Sequence, residues 1–259
     1  MLDIKRIRED FEAVKQRVES RGQGDFGIEK VIELDVMRRE MLAEVEAKKN
    51  RQNTASKEIP ALKKEGKDAA PLMAELKALS EDIKRLDAKV GEIERDLKET
   101  LLNIPNAPYE KVPVGLTDQD NEEIRKWGDP RVVDFEQKAH WDVGTDLDIL
   151  DFERATKIAG TRFTVYKGLG ARLERSVMNF MLNLHTTEHG FTEILPPFMV
   201  NRDAMTGTGQ LPKFEEDMFH IPSKDFFLVP TAEVPVTNLL MNEILDGDQL
   251  PIYYTAYTP

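Results

Sequence analysis

A hydroxyl and a carboxylate lie close together in the segment FLVPTAEVPVTN, residues 227–238. Thr231 and Glu233 follow an apolar run and stand between Pro230 and Pro235. Proline fixes φ and removes a backbone donor, so this pair of prolines disfavours both a helix interior and a central strand. We therefore expect a restricted loop, at the end of a buried strand, that holds the two side chains at fixed positions.

A second candidate for chemistry is HTTEH, residues 185–189, which fits the H-x-x-E-H pattern of a zinc peptidase family. Zinc binding would need His185 and His189 on one helical face, Glu188 as a base, and a third ligand farther along the chain. The motif falls in the last turn before Gly190, where the helix dipole by itself favours histidine. We therefore expect no protein-bound metal.

The glycine-containing segments do not form a phosphate-binding loop. GLG at 168–170 and GTG at 207–209 lack the third glycine of a dinucleotide fingerprint, and the sequence has no GK[ST] loop. Any bound nucleotide must be held by side chains such as arginines. The segment GTGQLPKFEEDMF, residues 207–219, fits either a long surface loop or a loop that carries binding groups, because the two share this composition.

The elements that would position these groups begin with a short helix and a long helical hairpin. Residues 3–20 predict one helix with Asp3 as its N-cap, and the apolar stripe is Ile4, Ile7, Phe11, Val14 and Val18. From residue 72, apolar side chains recur in alternating steps of four and three, at Leu72, Leu76, Leu79, Ile83, Leu86, Val90, Ile93 and Leu97. This heptad seam predicts a coiled coil.

The preceding charged segment supplies the partner helix of this coiled coil. A turn at 66–68 makes the two helices antiparallel, and at about 1.5 Å per residue they reach roughly 50 Å. Arg38, Lys48 and Gln52 lie on the seam of the first helix. Two interpretations stay open: long side chains that extend past the seam to water, or a polar face offered to a phosphate backbone.

The charge distribution leaves the hairpin without a large negative charge that would repel a phosphate backbone. The net charge is −12, yet residues 28–101 contain 16 Lys and Arg against 17 Asp and Glu. The acidity therefore lies elsewhere in the chain.

The absence of cysteine excludes disulfides, thiolate nucleophiles and cysteine-bound zinc. With no apolar run near the roughly 20 residues of a membrane span, we expect a soluble, cytoplasmic protein.

The second half of the chain predicts an α+β domain. Residues 102–117 contain three prolines and indicate a linker. Beyond it, an amphipathic helix is predicted between Gly170 and Gly190, and the candidate strands are 163–166, 191–195, 226–229 and 252–254. Because helices and strands do not alternate regularly, we expect a largely antiparallel sheet with flanking helices.

The ordered set of these segments resembles the N-terminal part of a bacterial-type seryl-tRNA synthetase, a class II enzyme. The segments that carry the resemblance are the paired-helix arm, GTRFTVYKGLGARLE, GFTEILPPFMVN, GTGQLPKFEEDMF, VPTAEVPVTN and LPIYYTAYTP. The resemblance implies domains at 1–101, with an arm at 28–101 that binds tRNA(Ser), and at 118–259, the first part of a catalytic domain. It also implies a homodimer, with Pro197 in motif 1 near the interface.

The same resemblance implies that Thr231, Ala232 and Glu233 bind L-serine. Glu233 would offset the ammonium charge and Thr231 would hydrogen-bond a small polar ligand. ATP and Mg²⁺ would be co-substrates in forming seryl-adenylate, before transfer to tRNA. Motifs 2 and 3, with their phosphate-binding arginines, lie outside the 259 residues, so no catalytic residue is identified and we expect this chain alone to be inactive. The alternative is an inactive tRNA-binding or structural coiled-coil protein.

Overall fold

A computed structural model describes residues 2–22, 24–64 and 66–259, without the side chain of Lys63. Met1, Gln23 and Glu65 belong to the predicted domain at 1–101 and lie outside the described residues. Residues 1–124 and 125–259 form two compact units.

The first unit begins with two short helices, α1 (Ile4–Glu9) and α2 (Phe11–Glu19). The single helix expected over 3–20 is therefore wrong, because Asp10 has φ −141° and ψ 55°, outside the helical region. Asp3 caps α1 as expected, since its carboxylate accepts from the Lys5 N–H at 2.8 Å. The apolar stripe continues across the break, and its members Ile7, Val14 and Val18 are buried.

The coiled-coil arm is confirmed as an antiparallel pair of helices, α3 (Ile28–Lys64) and α4 (Ala70–Asn103). Five positions of the predicted α4 seam are buried: Ile83, Leu86, Val90, Ile93 and Leu97. Val45 of α3 packs with Leu86 and Val90 part-way along the arm. At the base, α3 and α4 share one core with α1 and α2. The arm is thus anchored by the same apolar stripe that holds the two short helices.

A buried carboxylate lies in this basal core. The side chain of Asp35 is 3% exposed, and its Oδ2 lies 3.5 Å from the Nε of Arg8 with no hydrogen-bond partner among the described residues. A buried charge is tolerated when an opposite charge compensates it, and removing one partner of such a pair is strongly destabilising.

We therefore expect Arg8→Ala to destabilise the first unit by roughly 3 kcal/mol. Urea-induced loss of the helical circular dichroism signal measures this. Arg39→Ala is the matched control, because Arg39 is an exposed arginine of α3, and it should change the free energy of unfolding little. Equal effects of the two substitutions would contradict a stabilising role for the Arg8–Asp35 pair.

The second unit contains five helices and seven short strands among its described residues. The helices are α5 (His140–Asp146), α6 (Phe152–Ala159), α7 (Leu169–Thr187), α8 (Arg202–Gly207) and α9 (Glu233–Thr237). The strands are β1 (Leu150–Asp151), β2 (Val165–Tyr166), β3 (Thr192–Ile194), β4 (Met199–Asn201), β5 (His220–Ile221), β6 (Phe226–Leu228) and β7 (Tyr254–Ala256). Short 3₁₀ turns occur at 215–217, 238–240 and 247–249 of this unit, and another lies at 118–120 of the first unit.

The strands form three small sheets, and the α+β class is confirmed. β1–β2 and the order β4–β6–β5 are antiparallel, whereas β3 and β7 pair in parallel. The candidate strands were close to the observed β2, β3, β6 and β7, but β7 begins at Tyr254 rather than at Ile252. The sequence did not reveal β1, β4 or β5, which are only two or three residues long.

Helix α7 begins earlier than expected, at Leu169, and includes Gly170 in its first turn. A Cβ on Gly170 would lie 2.6 Å from the carbonyl oxygen of Ile149, so the glycine permits close packing on the chain that leads into β1. The sequence analysis placed the helix between Gly170 and Gly190, with Gly170 outside it. In the structure, Gly170 allows the backbone of α7 to lie close to the backbone at Ile149.

One compact core holds the region that contains the candidate site. Met205, Leu211, Phe227 and Val234 are almost fully buried and pack together. They come from α8, the segment after it, the central strand β6 and α9. This core therefore fixes the strand that precedes the Thr-Ala-Glu segment and the helix that follows it.

Candidate functional site

The Thr231–Glu233 segment connects β6 to α9. Thr231 and Ala232 are half-buried, and Glu233 is exposed as the first residue of α9. The Glu233 N–H donates to Oγ1 of Thr231 at 3.3 Å, which leaves the hydroxyl hydrogen for another acceptor. Within the described residues, the Glu233 carboxylate has no ion-pair partner. The segment thus presents a hydroxyl and an uncompensated carboxylate close together.

The expected proline-restricted loop is in part a helix. Pro235 is the third residue of α9 and is buried. Proline is accepted in the first turn because the N–H groups there have no intrahelical acceptor. The site therefore consists of a turn followed directly by a helical turn, and Pro235 stabilises that helical start rather than preventing it.

A cluster of charges fixes the 207–219 segment near the candidate site. Arg202, at the start of α8, donates to both carboxylate oxygens of Glu215 at 3.1 and 2.7 Å and to Asp225 at 2.9 and 3.0 Å. Its guanidinium lies 5.1 Å from the ring centroid of Phe227, which also stacks on His220. Nε2 of His220 lies 2.8 Å from Asp225. The 207–219 segment is therefore tied to the sheet.

These contacts lower the pKa of both carboxyl groups. The hydrogen bonds from Arg202 hold the pKa of Glu215 below its usual value, and Arg202 followed by His220 does the same for Asp225. When folding lowers the pKa of a carboxyl group, the ionised group stabilises the folded protein at every pH above the pKa that it has in the unfolded chain. That contribution is lost as the pH falls through the lowered pKa.

We expect Arg202→Met to lower the melting temperature at pH 7 and to lose this disadvantage in acid. As the pH falls below about 4, the usual carboxyl pKa of the unfolded chain, and then through the lower pKa values of Glu215 and Asp225 in the folded wild type, the two melting temperatures should converge. Thermal unfolding of both proteins from pH 7 to pH 3 measures the difference. A difference independent of pH would mean that Arg202 acts through packing on Phe227 and not through its charge.

The HTTEH motif does not lie on one helix. Helix α7 ends at Thr187, so His185 is helical while Glu188 and His189 follow the last turn. The Nδ1 atoms of the two histidines are 3.1 Å apart, and His185 packs on Phe191. In the part of the chain that the structure describes, no three His, Cys, Asp or Glu side chains are grouped to hold a metal ion.

Two of the three polar seam residues of the arm, Arg38 and Lys48, take part in ion pairs between its helices. Arg38 bonds Glu94 at 2.8 Å and Lys48 bonds Asp82 at 3.0 Å, where the hydrogen bond holds the pKa of Asp82 below its usual value. Two more pairs of the same polarity, Lys49–Asp87 and Arg51–Glu75, join the helices. Of the two interpretations left open, the structural one is favoured for Arg38 and Lys48, since carboxylates of α4 already neutralise them.

An apolar groove that the sequence did not reveal lies in the second unit. It has a volume of about 760 Å³ between α5, β1 and α7, and its lining includes Val143, Ile149, Leu173 and Val177. Leu173 and Val177 are also among the exposed apolar residues of α7. The sequence could have indicated this groove through the number of apolar residues in α7, which is larger than one buried face of the helix requires.

Pro197 lies in the connection between β3 and β4 and is exposed, whereas the preceding Pro196 is buried. The structure places Pro197 outside the Thr231–Glu233 turn, as a residue of the chain that leads into β4.

None of the helices in the described ranges has both the length and the apolar character that a bilayer crossing requires.

The chain is similar to seryl-tRNA synthetases both in sequence and in fold. Residues 1–108 match the family model for the seryl-tRNA synthetase N-terminal domain. Over 259 residues the chain is 61% identical to the serine–tRNA ligase of Alkaliphilus oremlandii, and over 258 residues it is 55% identical to that of Carboxydothermus hydrogenoformans. Both alignments cover 100% of this chain and 61% of the relative. The chain therefore spans about three-fifths of the length of the curated relatives it matches.

Solved structures give the same assignment. The seryl-tRNA synthetase of Pyrococcus horikoshii, determined in complex with ATP, superposes with a TM-score of 0.85 at 30% identity. That superposition covers 99% of this chain and 62% of the archaeal chain. The recognition made from the sequence is thereby confirmed.

Proposed function

We propose that the protein containing this chain is a cytoplasmic serine–tRNA ligase, which activates L-serine with ATP and transfers it to tRNA(Ser). The observation that carries the proposal is the 61% identity to a serine–tRNA ligase over all 259 residues, which include both the arm and the Thr-Ala-Glu turn. In the first step, the serine carboxylate attacks the α-phosphorus of ATP and pyrophosphate leaves. In the second, a hydroxyl of the terminal adenosine of the tRNA attacks the acyl carbon and AMP leaves.

The amino-acid site of this proposal is the turn formed by Thr231, Ala232 and Glu233. The Glu233 carboxylate, which has no ion-pair partner in the described chain, is free to bind the serine ammonium group. The Thr231 hydroxyl still has a hydrogen to donate to a small polar ligand. A site that forms such hydrogen bonds rejects an analogue lacking the matching group more strongly than an apolar pocket does.

The tRNA site of this proposal is the α3–α4 arm, within an N-terminal domain at 1–101, and 118–259 is part of the catalytic domain. The arm's near-neutral charge and its anchoring in the basal core support this role. Because Arg38 and Lys48 are paired within the arm, the contacts to phosphates come from other side chains. The salt dependence of binding reports the number of those contacts.

ATP and Mg²⁺ act as co-substrates, and the ATP complex of the archaeal relative supports the nucleotide part of the proposal. Bound Mg²⁺ would spread the charge of the phosphates. No group of three potential ligand side chains among the described residues fits a resident metal. We propose that the metal arrives with the nucleotide.

A homodimer is also part of the proposal. The apolar groove against α7 and the exposed side chains of Leu173, Val177 and Phe180 support it, because a second copy would remove this apolar surface from water. Pro197 is the motif 1 residue proposed to lie near the interface.

Serine-dependent exchange of labelled pyrophosphate into ATP by the full-length gene product tests the function. We expect exchange with serine and much less with alanine, which lacks the hydroxyl, followed by acylation of tRNA(Ser). Exchange that depends on another amino acid, or binding of tRNA(Ser) without any exchange, would contradict the proposal.

A further inference from the structure

The side chain of Asn238 joins the two helices that frame the candidate amino-acid site. Its Nδ2 donates to the carbonyl oxygen of Ala204 in α8 at 2.9 Å and to that of Val234 in α9 at 2.8 Å. Carbonyl oxygens only accept hydrogen bonds, so both contacts require the amide nitrogen and the orientation of the carboxamide is fixed. Both amide hydrogens are used in this bridge.

The bridge acts on carbonyl groups near helix C-termini, which lack a full set of intrahelical donors. Asn238 follows the last residue of α9, and its own N–H also donates to the Val234 carbonyl. Thr208 also contacts the Ala204 carbonyl, through its hydroxyl at 3.3 Å and its N–H at 3.4 Å. The Asn238 amide therefore makes a shorter contact to the Ala204 carbonyl than either group of Thr208.

Gly207, the last residue of α8, leaves space for the same carboxamide. A Cβ at this position would lie 2.5 Å from Oδ1 of Asn238. The φ of Gly207 is not in the left-handed region, so the backbone does not demand glycine here. The displaced atom, Oδ1, belongs to the same carboxamide as Nδ2, so moving it away would disturb the two hydrogen bonds that Nδ2 donates. The glycine thus matches the bridge sterically.

We propose that Asn238 is a positioning residue for the amino-acid site, because it fixes α9, and with it Thr231 and Glu233, against α8. Helix α8 is itself held by Met205 in the core and by Arg202 against the sheet. Glu233 begins the helix that the bridge holds, so movement of α9 displaces the carboxylate. This inference rests on the proposed function and assigns a role within the same site.

We expect Asn238→Ala in the full-length protein to raise the KM for serine in pyrophosphate exchange by about ten-fold, and that for ATP by less than about two-fold. Asn201→Ala is the matched control. Asn201 caps the other end of α8, accepting from the Ala204 N–H at 2.9 Å, and does not bridge to α9. The control should lower the melting temperature and leave the ratio of the two KM values unchanged.

A double-mutant cycle with Gly207→Ala makes the test specific. In the wild-type background, the added methyl group should displace the carboxamide and raise the serine KM by about as much as Asn238→Ala does. In the Asn238→Ala background the obstacle is gone, so Gly207→Ala should have no further effect on the serine KM. The two substitutions are then strongly non-additive.

Three results would overturn the inference. Asn238→Ala could raise both KM values equally, the Asn201 control could change their ratio as much, or Gly207→Ala could act additively with Asn238→Ala. In each case the wild type still exchanges pyrophosphate in response to serine, so only the positioning role fails. If the wild type shows no such exchange, the proposed function fails and this inference fails with it.

Discussion

Glu233→Gln in the full-length protein is expected to lower kcat/KM for serine in pyrophosphate exchange by about 100-fold. The amide keeps the size of the side chain but removes the negative charge of the carboxylate. We propose that this charge binds the ammonium group of serine. Because Glu233 is exposed at the start of α9, the substitution should leave the melting temperature almost unchanged. Exchange kinetics and thermal unfolding on the same preparation measure both quantities.

Glu243→Gln is the control for this substitution. Glu243 is also an exposed glutamate, only a few residues beyond α9, and its N–H donates to the Leu240 carbonyl rather than to the Thr231–Glu233 turn. It should leave kcat/KM for serine within about two-fold of the wild type. If the two substitutions behave alike, the carboxylate of Glu233 does not bind the substrate.

Shortening the arm is expected to lower tRNA charging strongly while sparing serine activation. Removing residues 51–80 and joining 50 to 81 by a glycine-rich turn leaves the Lys48–Asp82 pair and the packing of Val45 on Leu86 in place. The basal core with α1 and α2 is also kept. Aminoacylation of tRNA(Ser) should fall by roughly 100-fold, since the phosphate contacts of the outer arm are lost.

Serine-dependent pyrophosphate exchange is the internal control for the shortened arm. It should stay within about two-fold of the wild type, because the amino-acid site belongs to the second unit. Equal losses of exchange and of aminoacylation would contradict a tRNA-binding role for the arm and would indicate a general defect in folding.

The arm could be predicted from the sequence because its information is local and repeated. Each seam position from Leu72 to Leu97 follows the last by three or four residues, so one periodic pattern specifies the whole helix. The break at Asp10 could not be predicted in this way, because the apolar stripe runs through it from Ile7 to Val14. A periodic pattern reports which face is buried and does not report a local departure from helical φ and ψ.

The sheets were harder to predict because the strands are too short to show alternation. The β3–β7 pair joins Thr192 to Tyr254 in parallel, a pairing that depends on the intervening chain and not on either segment alone. The contacts of Arg202 with Glu215 and Asp225 likewise join residues far apart in sequence. No local pattern specifies such partners.

The candidate site was located by its residue types, but its local structure was only partly foreseen. The prolines were interpreted as opposing a helix, whereas Pro235 occupies the first turn of α9, where proline is accepted. Asn238 was passed over because its role depends on Ala204, 34 residues earlier in the chain. The sequence therefore indicated which groups to propose as the amino-acid site, and the structure adds what holds them in place.

A crystal structure of the full-length protein with a non-hydrolysable seryl-adenylate analogue tests the central claim most directly. The account predicts that the ammonium group of the serine moiety lies within hydrogen-bond distance of the Glu233 carboxylate, next to Thr231. An analogue bound elsewhere, with the Thr231–Glu233 turn free of ligand, would contradict it.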